Sequence, residues 1–64
     1  MTPEQLEQFL VRHDISNADF ARLLGVTGPA VDHWLSGRRA VPLTTVRLLR
    51  LFDRKPELIL EFGK

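Results

Sequence analysis

The feature that most constrains the fold is a short link, Gly25-Val26-Thr27, between two segments with helical periodicity. Apolar residues on both sides recur at three- and four-residue spacings, as in helices that bury one face. Glycine readily adopts the left-handed conformation that ends a helix, and a threonine hydroxyl is a good N-cap for the next one. A link this short brings the helices together at close range, where Ala21 leaves room for their crossing. Residues 16–37 therefore predict a helix-turn-helix.

Capping signals predict three further helices around this unit. The predicted elements are a helix opened by Thr2-Pro3-Glu4-Gln5 that stops near His13-Asp14, a second from Ser16 to about Leu24, a third from about Gly28 to Ser36, a fourth opened by Pro42, and a short apolar fifth after Pro56. The inward-facing residues of the second, third and fourth helices are predicted to be Phe20, Leu23, Leu24, Ala30, Val31, Trp34, Leu48, Leu49 and Phe52. We expect one domain, residues 1–64, folded as an all-α bundle of five short helices.

The composition narrows the classes of function. The 64 residues include no cysteine, which excludes disulfides and thiolate metal sites. No apolar run approaches the roughly 18 to 20 residues needed to cross a bilayer, and the start of the chain lacks the layout of a signal peptide. The two histidines and the scattered carboxylates show neither metal-ligand nor catalytic spacing. We therefore expect a cytoplasmic protein without a membrane partner, cofactor, metal or enzymatic activity.

Charge is distributed unevenly along the chain. Residues 1–35 carry two arginines and five acidic side chains, whereas residues 36–55 carry six basic side chains and one aspartate. Such asymmetry is expected of a protein that lays one edge on a polyanion, although a solvated basic face has the same composition. The charge pattern alone favours neither interpretation.

The run F-A-R-L-L-G-V-T-x-x-A-V-x-x-W-L-S-G, followed by R-R-x-V-P, resembles the Cro/C1-type (XRE) helix-turn-helix family of phage and bacterial transcriptional regulators. The resemblance extends over nearly the whole chain. It implies a lambda-repressor-like fold that binds double-stranded DNA and inserts helix three into the major groove.

The resemblance also implies which residues contact the DNA bases. They are Thr27, Gly28, Pro29, Asp32 and His33. Gly28 and Pro29 depart from the common pattern, because relatives often carry long polar side chains there and these two have no side-chain donor or acceptor. Asp32 would accept a hydrogen bond from cytosine and His33 would donate one to guanine. The alternative is that Asp32 only favours the helix dipole and His33 is a solvated surface residue.

Phosphate contacts are implied at four positions, Asn17, Arg22, Arg38 and Arg39. Asn17 stands where relatives commonly have a longer glutamine, beside helix-end amides that attract anions. The three arginines of helix four have two interpretations, a role on DNA or a solvated face that pairs with nearby acids. These residues are Arg47, Arg50 and Arg54, and the acids are Asp53, Glu57 and Glu61.

The last apolar segment is the expected dimer interface, formed by Leu58, Ile59, Leu60 and Phe62. A recognition helix covers few base pairs, so useful affinity normally needs two half-sites and a two-fold dimer. The alternative is that this segment simply packs on the core. The expected function is thus a small Cro-like repressor, a homodimer on a palindromic operator. Two alternatives remain: an antitoxin-type module that binds a partner protein as well as its own operator, and a scaffold that has lost its DNA contacts.

Overall fold

Five α-helices make up the fold of residues 1–62, the part of the chain that the computed structural model describes. They are α1 (Pro3–Arg12), α2 (Asn17–Leu24), α3 (Gly28–Ser36), α4 (Leu43–Arg54) and α5 (Glu57–Phe62). The predicted all-α bundle of five short helices is confirmed. Helices α1 and α2 both pack against α3, and α5 packs on α4. No helix within residues 1–62 is both long and apolar enough to cross a membrane.

Side-chain caps begin the first three helices, as the sequence predicts. The hydroxyl of Thr2 accepts a hydrogen bond from the Gln5 amide at 3.2 Å, and the Gln5 side chain accepts one from the Thr2 amide at 2.9 Å. This reciprocal pair is a capping box. Ser16 and Thr27 cap α2 and α3, each accepting from the amide three residues further on.

The turn between α2 and α3 depends on Gly25, which has a φ of 71° in the left-handed region. The Gly25 amide donates to the Arg22 carbonyl at 3.3 Å, and the Val26 amide donates to the Ala21 carbonyl at 2.9 Å. Together they form a Schellman motif, which satisfies carbonyls that the helix end would otherwise leave unpaired. An L side chain at position 25 would be strained even though the surrounding space is open.

Helix α1 ends with the same hydrogen-bond pattern, but an aspartate takes the place of glycine. Asp14 has a φ of 54°, its amide donates to the Val11 carbonyl, and the Ile15 amide donates to the Leu10 carbonyl at 2.9 Å. Aspartate is one of the few residues that tolerates this conformation. The sequence placed the end of α1 correctly and did not indicate the left-handed residue.

The core is entirely apolar over residues 1–62. Its buried members are Leu6, Phe9, Leu10, Phe20, Ala21, Val31, Trp34, Val46, Leu49 and Phe52. Trp34 is only 6% exposed, which confirms the prediction that its ring belongs to the core. Other residues predicted to face inward lie at the margin of the core, where they are half-buried: Leu23, Leu24, Ala30 and Leu48.

An ion-pair cluster joins the end of α1 to the end of α4. Arg12 Nη2 lies 2.9 Å from Asp53 Oδ2, and His13 Nε2 lies 2.7 Å from Asp53 Oδ1. The His13 ring also packs against Phe9, with 4.5 Å between ring centroids. The hypothesis that Asp53 pairs with the arginines of α4 is therefore wrong. Its carboxylate is occupied by two side chains of another helix.

The Asp53 cluster makes the stability of the fold sensitive to acid. Partial burial pushes the pKa of Asp53 upward, but the hydrogen bonds from His13 and Arg12 outweigh it, so the pKa lies below its ordinary value of 3.8. A carboxyl group whose pKa is lower in the folded than in the unfolded protein stabilises the fold at pH values above its unfolded-state pKa. This stabilisation is lost as the pH falls through the folded-state pKa. The side chain is 38% exposed, so the effect is at most about 1 kcal/mol.

We expect Asp53→Asn to lower the free energy of unfolding at neutral pH and to flatten its decline below about pH 4. Urea unfolding followed by circular dichroism at several pH values measures both effects. Asp32→Asn is the control, because Asp32 is an exposed aspartate without an ion pair in residues 1–62. If the free energy of unfolding declined below about pH 4 with the same slope in Asp53→Asn and in the wild type, the stabilising role of the Asp53 ion pairs would be contradicted.

Candidate nucleic-acid interface

The first turn of α3 is open to solvent. Thr27 caps the helix, and Thr27, Gly28 and Pro29 are all exposed. A Cβ built at position 28 would meet no atom within 4 Å, and the backbone there is not left-handed. Neither packing nor conformation therefore requires glycine at this position. The lack of a side chain leaves the backbone of the first turn accessible to a large ligand.

Helix α3 separates its buried and exposed faces clearly. Val31 and Trp34 are buried against the core, whereas Asp32 is exposed and His33 is half-buried. Asp32 therefore lies on the same accessible surface as the first turn. His33 is partly accessible, so the predicted base contact and the alternative of a solvated surface residue both stay predictions.

A short basic loop follows α3 directly. Gly37 ends the helix with a φ of 81°, and the exposed residues Arg38 and Arg39 come next. The Arg39 amide donates to the His33 carbonyl at 3.2 Å, which ties the loop to the last turn of α3. Neither guanidinium makes a hydrogen bond or ion pair with any residue in 1–62. The guanidinium groups of Arg38 and Arg39 therefore lie free of protein partners in this range, in a loop that is hydrogen-bonded to α3.

The start of α2 carries the other two residues predicted to contact phosphate, Asn17 and Arg22. Asn17 is exposed in the first turn, where backbone amides lack helical partners. Asp19 forms an ion pair with Arg22, and hydrogen bonds from Arg22 and Ser16 hold the pKa of Asp19 below its ordinary value. The charge of Arg22 is therefore already compensated. We expect Asn17 and Arg22 to contribute less to phosphate binding than the loop after α3.

The four apolar residues of α5 do not share one environment. Leu58 and Ile59 are half-buried and pack against the core, as the simpler of the two interpretations expected. Phe62 meets Phe52 edge to face, with 5.1 Å between ring centroids, and remains exposed. Leu60 is 74% exposed. Leu60 and Phe62 offer the most surface for contact with a second copy, and Leu58 and Ile59 offer less.

The contact of Arg12 and His13 with Asp53 was not predicted from the sequence. The partner of His13 lies 40 residues away from it in the sequence. No local pattern marks such a pair, because it depends on how α1 and α4 pack. An acidic cleft beside Asn17 was not predicted either, because the residues that line the cleft come from three separate segments.

Comparison with known proteins identifies no relative. No family model, no curated protein and no solved structure matches the chain.

Proposed function

We propose that this protein is a sequence-specific double-stranded DNA-binding regulator of the Cro/C1 type, most simply a small repressor. One observation carries the proposal: α3 exposes its first turn, and the loop hydrogen-bonded to its last turn carries two arginines without an ion pair within residues 1–62. A major groove about 12 Å wide accepts an α-helix, and flanking phosphates attract arginines. A helix with an exposed first turn, followed by a basic loop that is hydrogen-bonded to its last turn, fits both requirements.

In the proposed complex, α3 lies in the major groove with its first turn nearest the bases. Thr27 and Asp32 present polar groups, and the exposed backbone of Gly28 and Pro29 allows close approach. Few side chains on this surface distinguish bases by paired hydrogen bonds. We therefore expect sequence-dependent DNA shape and deformability to supply much of the specificity.

Selection of bound sites from random duplexes tests this function. We expect enrichment of an inverted repeat whose half-sites lie about one helical turn apart. Affinity for the selected site should exceed that for random duplex by at least about 10³-fold and should fall steeply with salt. Selection that enriches nothing, together with binding that does not depend on salt, would reject the proposal and favour a scaffold without DNA contacts.

The proposed operator complex is a two-fold dimer that uses the exposed side of α5. Leu60→Glu should give a folded monomer, because this side chain contributes little to the core. We expect its affinity to fall about 10²-fold or more on the full operator and little on an isolated half-site, since linkage between half-sites is lost. Sedimentation and binding assays measure the two effects. A wild-type protein that stays monomeric on the full operator would contradict the proposed dimer. The alternative, that α5 only packs on the core, would then hold.

A further inference from the structure

A surface cleft of about 680 Å³ lies between α1, the turn after it, the start of α2 and the end of α3. Leu10, Val11, Ile15 and Leu35 supply its apolar lining. Val11 is 75% exposed, the most exposed of the large apolar residues in 1–62. A partner that covers this exposed apolar side chain removes it from water, which stabilises the complex.

The rim of this cleft is acidic. Glu7, Asp14 and Asp19 line it, and of these only Asp19 has an ion-pair partner within residues 1–62, namely Arg22. Arg12, the other basic residue of this half of the chain, points its guanidinium at Asp53 instead. The cleft therefore has uncompensated negative charge. It suits an apolar ligand that carries positive charge.

The same chain carries a surface with the opposite character. Leu43, Arg47, Arg50 and Arg54 follow one another on α4 at spacings of four, three and four residues, which places them along one side of the helix. Leu43 is 61% exposed, and the three arginines are exposed without ion pairs to any described residue. We call this set the basic stripe. Asp53 does not neutralise it, because Arg12 and His13 hold that carboxylate.

We propose that the acidic cleft of one copy binds the basic stripe of a second copy. Leu43 of the stripe would cover Val11, and the arginines would meet the carboxylates of the rim. The contact is heterologous, so the copy that uses its cleft keeps a free stripe and the copy that uses its stripe keeps a free cleft. Further copies can therefore add in a row. It differs from the two-fold contact through α5 and requires no DNA. A cleft of this size buries little area, so the association is weak and depends strongly on salt.

Sedimentation of the free protein at high concentration tests the salt dependence. We expect the average mass to rise with protein concentration in about 0.02 M salt and the association constant to fall about tenfold or more near 0.2 M, where the Debye length is short. An apolar α5 dimer would respond little to salt. The contribution of any such dimer to the average mass is therefore the same at both salt concentrations. It does not affect the change that the experiment measures.

Two variants test which surfaces meet. Glu7→Gln with Asp14→Asn neutralises the cleft, and Arg47→Gln with Arg50→Gln neutralises the stripe; all four positions are exposed, so the fold should persist. Each variant alone should lose the salt-sensitive association, whereas a mixture of the two should form it again in equal proportions. In the mixture, the stripe variant supplies an intact cleft and the cleft variant supplies an intact stripe. One surface of each kind is all that the heterologous contact needs.

Glu57→Gln with Glu61→Gln is the matched control, because it removes two exposed negative charges that do not line the cleft. This variant should associate like the wild type at low salt. Isotope-labelled stripe variant mixed with unlabelled cleft variant should show chemical-shift changes around Val11 and Leu35. Failure of the mixture to associate would overturn the proposal. So would a stripe variant that keeps its self-association but loses affinity for DNA, which would assign the stripe to phosphate binding.

Discussion

Trp34→Ala is expected to lower the free energy of unfolding by about 3 to 5 kcal/mol. The ring belongs to the core of α3 and is 6% exposed, so its removal leaves a cavity where α3 meets the rest of the bundle. Small domains have a total stability of only about 0.05 to 0.15 kcal/mol per residue, so the variant should be largely unfolded near 37 °C. Circular dichroism during urea unfolding measures the loss without relying on tryptophan fluorescence.

Asp32→Ala is the control for this experiment, because Asp32 lies on the same helix and is exposed. Its free energy of unfolding should stay within about 0.5 kcal/mol of the wild type. A Trp34→Ala protein that unfolds at the wild-type urea concentration but no longer binds DNA would contradict the core assignment. The ring would then contact the ligand.

Replacing both Arg38 and Arg39 with alanine is expected to weaken DNA binding about 10- to 100-fold near physiological salt. The reduction should be similar on the selected operator and on random duplex, because phosphate contacts carry no sequence information. If each arginine neutralises one phosphate, the slope of log affinity against log salt should become shallower by about 0.9 per arginine. Fluorescence anisotropy over a range of salt concentrations gives both quantities.

Lys55→Ala serves as the comparison, since it removes an exposed positive charge from the end of α4 rather than from the loop after α3. We expect its salt slope to match that of the wild type. A wild-type slope in the double arginine variant would contradict the proposed phosphate surface. Thermal unfolding of the same samples shows whether the loss of affinity reflects a loss of fold, which the exposure of both arginines argues against.

The ends of the helices were predictable because short-range chemistry determines them. Thr2 and Gln5 lie three residues apart and form the capping box wherever the chain is placed. Gly25 ends α2 because its own backbone tolerates a φ of 71°. The candidate base-contacting face was also accessible to sequence reasoning, since the position of Val31 and Trp34 inside determines that Asp32 lies outside.

Other features depend on contacts between residues far apart in the chain. Arg12 reaches Asp53 across 41 positions, although several arginines lie closer to Asp53 in sequence. The acidic cleft combines Glu7, Asp19 and Leu35, which no local window includes. Periodicity likewise indicated an apolar α5 without showing that Ile59 packs on the core while Leu60 faces solvent.

The sequence by itself determined the five helices, the side-chain caps of the first three and the turn between α2 and α3, because these depend on backbone conformations and hydrogen bonds within a few residues. Only the tertiary structure decided the partner of Asp53, the division of α5 between core and surface, and the separation of an acidic cleft from a basic stripe. Those features depend on which helix faces meet when the apolar core is buried. Burial is not directional, so the apolar pattern shows that faces pack without showing which polar side chains become neighbours.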